Sequence, residues 1–331
     1  MWLLPALLSG AAILCALLIA ALLPLLRRYA LARPNARSSH SVPTPQGAGI
    51  AVIAATVCCC LAGIAVGSPY TPALPVVLGA AVAMALLGAI DDIRAIQVAP
   101  RLIVQALLVG IVIGAIPDGV RVFSALPLLA ERALLLAAGL WFVNLTNFMD
   151  GIDWMTVAGF IPLTAGLVLC ARYAGLPSDI PVLAIALCGA VLGFAAFNRP
   201  VASVFLGDVG SLPLGLLSGW LLVLLAGHGH LVAALLLPLY AIADATITLL
   251  QRVQKGERFW EAHRTHFYQR ATARGFSVMQ VVIRVFILNI VLAALALATI
   301  QWPTLTVSVA ALIGGAVLVG GLLLTFARGR R

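Results

Sequence analysis

Eleven apolar runs, most of them close to 20 residues long, divide this chain. They fall near 2–26, 48–67, 73–90, 102–117, 127–146, 155–172, 181–197, 212–227, 231–250, 280–300 and 305–326. Uncharged runs of this length, with no alternation of polar and apolar positions, predict helices that cross a hydrocarbon layer about 30 Å thick. Glu131 and Arg132 interrupt the fifth run. Its helix is therefore expected to begin after them and to run short, with 118–130 as an interfacial or external turn. The first run has no charge before it and Arg27 and Arg28 after it. A secretory signal carries its positive charges first, so this run reads as a retained span. The expected fold is all-α: one polytopic transmembrane helix bundle of about 11 spans, a single domain over 1–331, with no internal repeat.

Composition narrows the class. The hydrophobic fraction is 63% and the charged fraction 9%, against about 25% charged residues in soluble domains. Mean hydropathy is +1.13. Too few polar residues are present to cover a water-soluble core, so an integral membrane protein is implied. The net charge of +9 would suit nucleic acid, but the basic residues are distributed by loop. Seventeen of the 20 lie in alternate connections: 27–47, 91–101, 198–211, 251–279 with Arg284 beside it, and 327–331. Only Arg121, Arg132 and Arg172 lie in the others. Positive loops stay in the cytosol, so the N-terminus is expected outside, the C-terminus cytosolic, and no nucleic-acid partner. The six cysteines sit inside apolar runs without metal or redox spacing.

Acidic residues are scarce, 11 in 331. Asp91, Asp92, Asp150, Asp153, Asp208 and Asp244 lie at or near the ends of apolar runs, and the threading brings all six to the cytosolic face. Charge at membrane depth is costly and marks function by default. The Asp91-Asp92 pair ends the third run, where a helix C-terminus disfavours acids and adjacent carboxylates repel without a cation or proton between them. Magnesium binds through one or two carboxylates plus substrate phosphates. The segment Asn144 to Trp154 holds Asp150 and Asp153 with no basic residue. On a continuous helix the two acids would share a face; Gly151 would instead permit a break. Gly207-Asp208-Val209-Gly210-Ser211 reads as a magnesium ligand beside flexible glycines, or as an ordinary helix cap. Asp244, about two helical turns inside Arg252, reads equally as a site group or a buried packing pair.

Two loops supply donors for anions. In Arg33 to Gly49, Arg37, Ser39 and His40 suit phosphate oxygens, and Gly47 and Gly49 open a helix whose first amides would favour an anion. The alternative is a solvated basic loop. The long loop 251–279 carries His263, Arg264 and His266 with flanking Phe259 and Trp260, suited to a diphosphate and a stacked base or sugar, or to anionic lipid headgroups.

Taken in order, these five segments resemble the polyprenyl-phosphate N-acetylhexosamine-1-phosphate transferase family, the MraY and WecA type, over residues 33 to 276. The resemblance implies that Asp208 is a magnesium ligand, with Asp92 as a second. It makes Asp91 and Asp92 the aspartate pair at the phosphate site, and Asp150 and Asp153 further site carboxylates. Asn144 would stand near the nucleotide, with Asn147 in the same segment. Many members read His-x-His-His in the last loop, where this chain has His266-Phe267-Tyr268-Gln269 with His263 upstream; only His266 carries over. That variation points toward the WbpL-type branch, which starts O-antigen or exopolysaccharide units. The implied reaction transfers an N-acetylhexosamine 1-phosphate from a UDP-sugar to undecaprenyl phosphate with release of UMP. It implies Mg2+ as cofactor with Mn2+ as the alternative, surrounding membrane lipids, a bacterial inner membrane with a cytosolic site, and compatibility with a homodimer. The rival class is a polytopic transporter with an intramembrane Asp/His relay. It would need charge reachable from both faces and often a repeat, and the outer half is nearly bare of ionisable groups.

Overall fold

The structure, a computed structural model, describes residues 2–32, 43–257 and 263–330. Among these, thirteen α-helices follow one another. They are α1 (Leu3–Tyr29), α2 (Gly49–Ala65), α3 (Ala73–Ile93), α4 (Val98–Gly114), α5 (Leu128–Phe148), α6 (Met155–Tyr173), α7 (Asp179–Ala195), α8 (Asp208–Leu225), α9 (Leu231–Leu236), α10 (Leu239–Gln254), α11 (Phe267–Ala273), α12 (Val278–Gln301) and α13 (Leu305–Arg328). A minimal antiparallel pair, β1 (Leu31–Ala32) with β2 (Thr44–Pro45), closes the first loop.

Seven helical stretches among the described residues are long and apolar enough to cross a membrane. Three further apolar helices, α2, α4 and α7, have 17 residues each, about 25 Å of helix. The chain is a multi-pass membrane protein. Burial orders the helices. In the most apolar window of Asp208–Leu236, 89% is buried, against 22% for α1 and for α13. The stretch beginning with α8 is therefore the axis of the bundle, and α1 and α13 present Leu, Ile and Val side chains outward to lipid. Helices α3 and α5 pack on α8, α4 fills the angle between them, and α6 and α7 close the other side.

Close approach at the start of α8 sets the site. A Cβ placed on Gly88 of α3 would overlap the carbonyl of Asp208, so only glycine lets α3 cross there. That crossing carries Asp91 and Asp92 to the N-terminus of α8.

Three expectations change. Glu131 and Arg132 do not delay α5, which starts at Leu128. The Glu131 carboxylate accepts hydrogen bonds from Val122 N (2.6 Å) and Phe123 N (3.0 Å) and pairs with Arg121, so its charge is compensated where it lies. The expected span 231–250 is two helices, broken at Leu237-Pro238, because proline has no N–H to give and its ring clashes with the preceding turn. The first amides of α2 are not open to an anion: Gly47 and Ala48 donate to the Phe205 carbonyl and Gly49 to that of Leu206.

Candidate active site

The N-terminus of α8 is capped from another helix. Gly207 has φ 79°, a conformation that glycine adopts without strain, and it turns the chain into Asp208. The Asp92 carboxylate accepts from Asp208 N (3.0 Å) and Val209 N (3.1 Å). Gln46, beside β2, donates to the same carboxylate. Asp92 thus meets the orphan amides and the positive end of the helix dipole.

Asp91, its neighbour, faces the other way. It accepts from Ile96 N at 2.6 Å and from Arg101 Nη1 at 2.7 Å. The same guanidinium nitrogen lies 3.7 Å from Asp208 Oδ2. On the α5 side, Asn147 Nδ2 donates to Asp208 Oδ1 (2.6 Å) and to Ser211 Oγ (2.9 Å). The Asp208 side chain keeps 24% of its surface exposed.

Between α5 and α6 the chain leaves helical geometry over 150–154. Asp150 and Asp153 consequently do not share a face. Asp150 accepts from the Thr156 hydroxyl. Burial pushes its pKa up to about 7; the Thr156 bond opposes this, and the charges of Asp208, Asp92 and Asp153 add to the rise. Asp153 is turned away and buried, accepting from Ala202 N at 3.1 Å. It braces the 199–204 connection, as does Asn198, whose side chain takes Trp154 N and gives to the Val204 carbonyl.

A second wall comes from the long loop. Asp244 of α10, fully buried, accepts from Phe267 N (2.9 Å) and Tyr268 N (3.2 Å) at the start of α11. Tyr268 in turn donates its hydroxyl to the Phe148 carbonyl at 2.7 Å. A Cβ on Gly151 would collide with that hydroxyl and with the Gln269 amide, so the 148–151 turn and α11 meet backbone to side chain. The His266 ring stacks between Phe148 (centroids 5.8 Å apart) and Tyr268 (5.9 Å), with His263 at 4.8 Å. Arg264 is exposed beside them.

The structure therefore gathers Asp91, Asp92, Asn147, Asp150 and Asp208 at one helix terminus, with His263, Arg264 and His266 on the wall beyond Phe148. It does not bring Asn144 there. That amide is buried and donates to Gln105 Oε1 and the Leu140 carbonyl, both at 2.8 Å. Arg37, Ser39 and His40 lie outside the described residues. Sequence reasoning missed Arg101, Gln46, Thr156 and Tyr268 as site residues. Arg101 is ten positions from Asp91, and no helical or strand period joins them.

The donor set fits a hard cation. Every inward acid offers oxygen, and Asp208 faces the charges of Asp91 and Asp92. Among the described residues no three His, Cys, Asp or Glu stand as a ready-made cage. Magnesium needs none, since it takes one or two carboxylates and completes its shell with water and phosphate.

Comparison with known proteins agrees with this geometry. A model described as glycosyl transferase family 4 matches residues 74–226, which is α3 through α8 and holds the whole carboxylate cluster. The decaprenyl-phosphate N-acetylglucosaminephosphotransferase of Mycobacterium leprae is 26% identical over 337 residues, covering 90% of this chain and 82% of that protein. Its counterpart in Mycobacterium tuberculosis is also 26% identical, covering 79% and 73%. The phospho-N-acetylmuramoyl-pentapeptide-transferase of Neisseria meningitidis is 31% identical over 176 residues, 48% of this chain and 47% of that protein. The matched segment and these relatives together support a polyprenyl-phosphate hexosamine-1-phosphate transferase family for this chain.

Proposed function

We propose that this protein transfers an N-acetylhexosamine 1-phosphate from a UDP-sugar to undecaprenyl phosphate, releasing UMP and starting a lipid-linked glycan, with O-antigen or exopolysaccharide as the polymer class. One observation carries the reading: Asp91, Asp150 and Asp208 converge with Asn147 and Arg101 at a capped helix terminus, at the end of an apolar bundle. In the reaction, an oxygen of the lipid phosphate attacks the phosphorus that bears the sugar. The new P–O–P bond forms as the bond to the UMP oxygen breaks, and UMP leaves with that electron pair. A phosphate monoester has a second pKa near 6, so at neutral pH the nucleophile is mostly dianionic and needs little base.

The main barrier is bringing anions together, and phosphoryl transfer is governed by positioning and charge. Asp208, with exposed oxygen, is the residue we assign to hold Mg2+. Asp92, expected as a second ligand, has three of roughly four acceptor sites taken by Gln46 and two amides. Its part is to fix the helix end that carries Asp208. The ion, when bound, neutralises phosphate charge. Asp91, clamped by Arg101, orients the lipid phosphate; Asp150, His263, Arg264 and His266 line the nucleotide-sugar side, with Arg37, Ser39 and His40 as further phosphate donors.

A small, mainly apolar cavity of about 40 Å³ lies between α5, α6, α10 and α12, lined by Phe142, Met149, Phe160, Leu163, Leu237 and Val285. We place the N-terminus outside, the C-terminus and the site in the cytosol, and the protein in the bacterial inner membrane. The deciding experiment measures UMP release by purified protein with undecaprenyl phosphate and a panel of UDP-sugars, with and without Mg2+. Release that needs both lipid phosphate and the ion supports the reading. No release with any UDP-sugar overturns it. Isolation of a phospho-sugar adduct in the absence of lipid would replace direct attack by a covalent aspartyl route.

A further inference from the structure

Asp244 touches no residue assigned to the ion and meets the nucleotide-sugar side only through His266, yet its surroundings are unusual for a carboxylate in an apolar bundle. Taking an ion out of water costs several kcal/mol unless donors replace its hydration. Here four donors bond it, and a fifth group, His266 Nδ1, lies close by without hydrogen-bond geometry. Oδ1 accepts from Phe267 N (2.9 Å) and the Thr248 hydroxyl (3.4 Å), and lies 3.4 Å from His266 Nδ1. Oδ2 accepts from Tyr268 N (3.2 Å) and the Tyr240 hydroxyl (3.0 Å). Tyr240 and Thr248 belong to its own helix. The other three belong to one turn, His266-Phe267-Tyr268, whose far side rests on the Phe148–Gly151 turn that carries Asp150.

We propose that Asp244 is a positioning residue for the transfer reaction: from beneath the site it holds this turn against the Asp150 turn and fixes which edge of the His266 ring faces the substrate. The proposal rests on the transferase reading above. A carboxylate beside Nδ1 selects the tautomer protonated there and leaves Nε2 for the other side. The ring is buried and stacked, so it has little freedom to choose otherwise. The charged and titratable groups facing His266 are Asp244 and, behind it, Tyr240 from α10, Tyr268 from α11, and His263 with Arg264 from the loop. Burial and then the charges of Asp244 and Asp150 raise the Tyr268 pKa well above 10, so its hydroxyl keeps the proton that it donates to the Phe148 carbonyl.

The substitution Asp244→Asn tests this. Both carboxylate oxygens accept from several donors, so an NH2 group at either place faces N–H or O–H and breaks part of the cage. In the full chain, with undecaprenyl phosphate and whichever UDP-sugar the wild type turns over, kcat should fall about 100-fold, the size of effect that small misplacement gives. KM should move by less than about threefold, since binding contacts are not removed. Backbone amides of 263–273 should exchange hydrogen faster. A merely structural role would lower yield and thermal stability while leaving kcat and KM of the surviving protein unchanged, and that result overturns the proposal.

Should Asp244→Asn fail to fold, Tyr268→Phe removes only the hydroxyl bridge to Phe148. It should lower kcat about tenfold with KM held; wild-type kcat in this variant also overturns the proposal. If the wild type itself turns over no UDP-sugar, the transferase reading fails. If it does and the variants match it, only the positioning role fails.

Discussion

The two ends of helix α5 show how differently one bundle treats charge. At one end, Asn147 holds Asp208, and Asp91, Asp92 and Asp150 crowd near it with Arg101 reaching two of the four. Sixteen residues away, about 24 Å along the helix, Glu131 is buried as well. Yet it is matched locally by Arg121 and two backbone amides. Arg132 beside it donates to the carbonyls of Ile113 and Ile116 at the end of α4, where a cation suits the helix dipole. The Glu131 end is balanced within itself and serves the fold. The Asp208 end crowds acids around a single arginine, a state that a proton or a bound cation would relieve. Uncompensated charge, rather than buried charge, is what distinguishes the working end.

The largest expected effect follows directly. Asp208→Asn should cost several kcal/mol of charge stabilisation, more than about 100-fold in kcat, with wild-type membrane insertion and thermal stability. Wild-type turnover would end the contrast between the two ends. Glu131→Gln should do the reverse. Weakening a buried, fully bonded carboxylate should destabilise by about 1–3 kcal/mol, read as a lower melting temperature in detergent, while kcat below the transition stays within about twofold.

Acidity sharpens the comparison. Asp150 titrates near 7 in the fold against about 3.9 in an unfolded chain. Its folded state therefore favours the proton. Ion-free protein should lose stability as pH rises from about 4 through 7, and Asp150→Asn should flatten that decline. Added Mg2+ should raise the wild-type melting temperature more at pH 8 than at pH 5. Melting curves across pH with a chelator and with the ion decide it; parallel curves for wild type and variant would remove Asp150 from the charged cluster.

The smallest difference separates two asparagines one helical turn apart. Asn147→Ala removes a donor to Asp208 and should raise the Mg2+ concentration needed for half-maximal rate about fivefold, the worth of one ordinary net hydrogen bond. Asn144→Ala should leave that value alone and cost only stability, by unpairing buried Gln105. Equal shifts in both would return Asn144 to the site.

What the sequence by itself determined was the class and the gathering. Apolar runs of membrane length, basic loops in alternation and six aspartates near run ends are properties of single segments, and hydration cost fixes their placement before any packing is known. The break at Gly151 followed less surely and the one at Pro238 was not anticipated, because local geometry can bend or continue a helix according to what packs beside it. Only the tertiary structure decided the roles within the cluster. Asp91 and Asp92 are adjacent in sequence and chemically identical, yet one is clamped by Arg101 and the other caps α8. Asp150 points inward and Asp153 away, while Asp244 reaches an entirely different helix. Those outcomes depend on partners from five to more than a hundred residues distant, the farthest brought close by helices crossing where Gly88 allows it. A side chain's type sets which bonds it can make; which bonds it does make is set by the company the fold keeps around it.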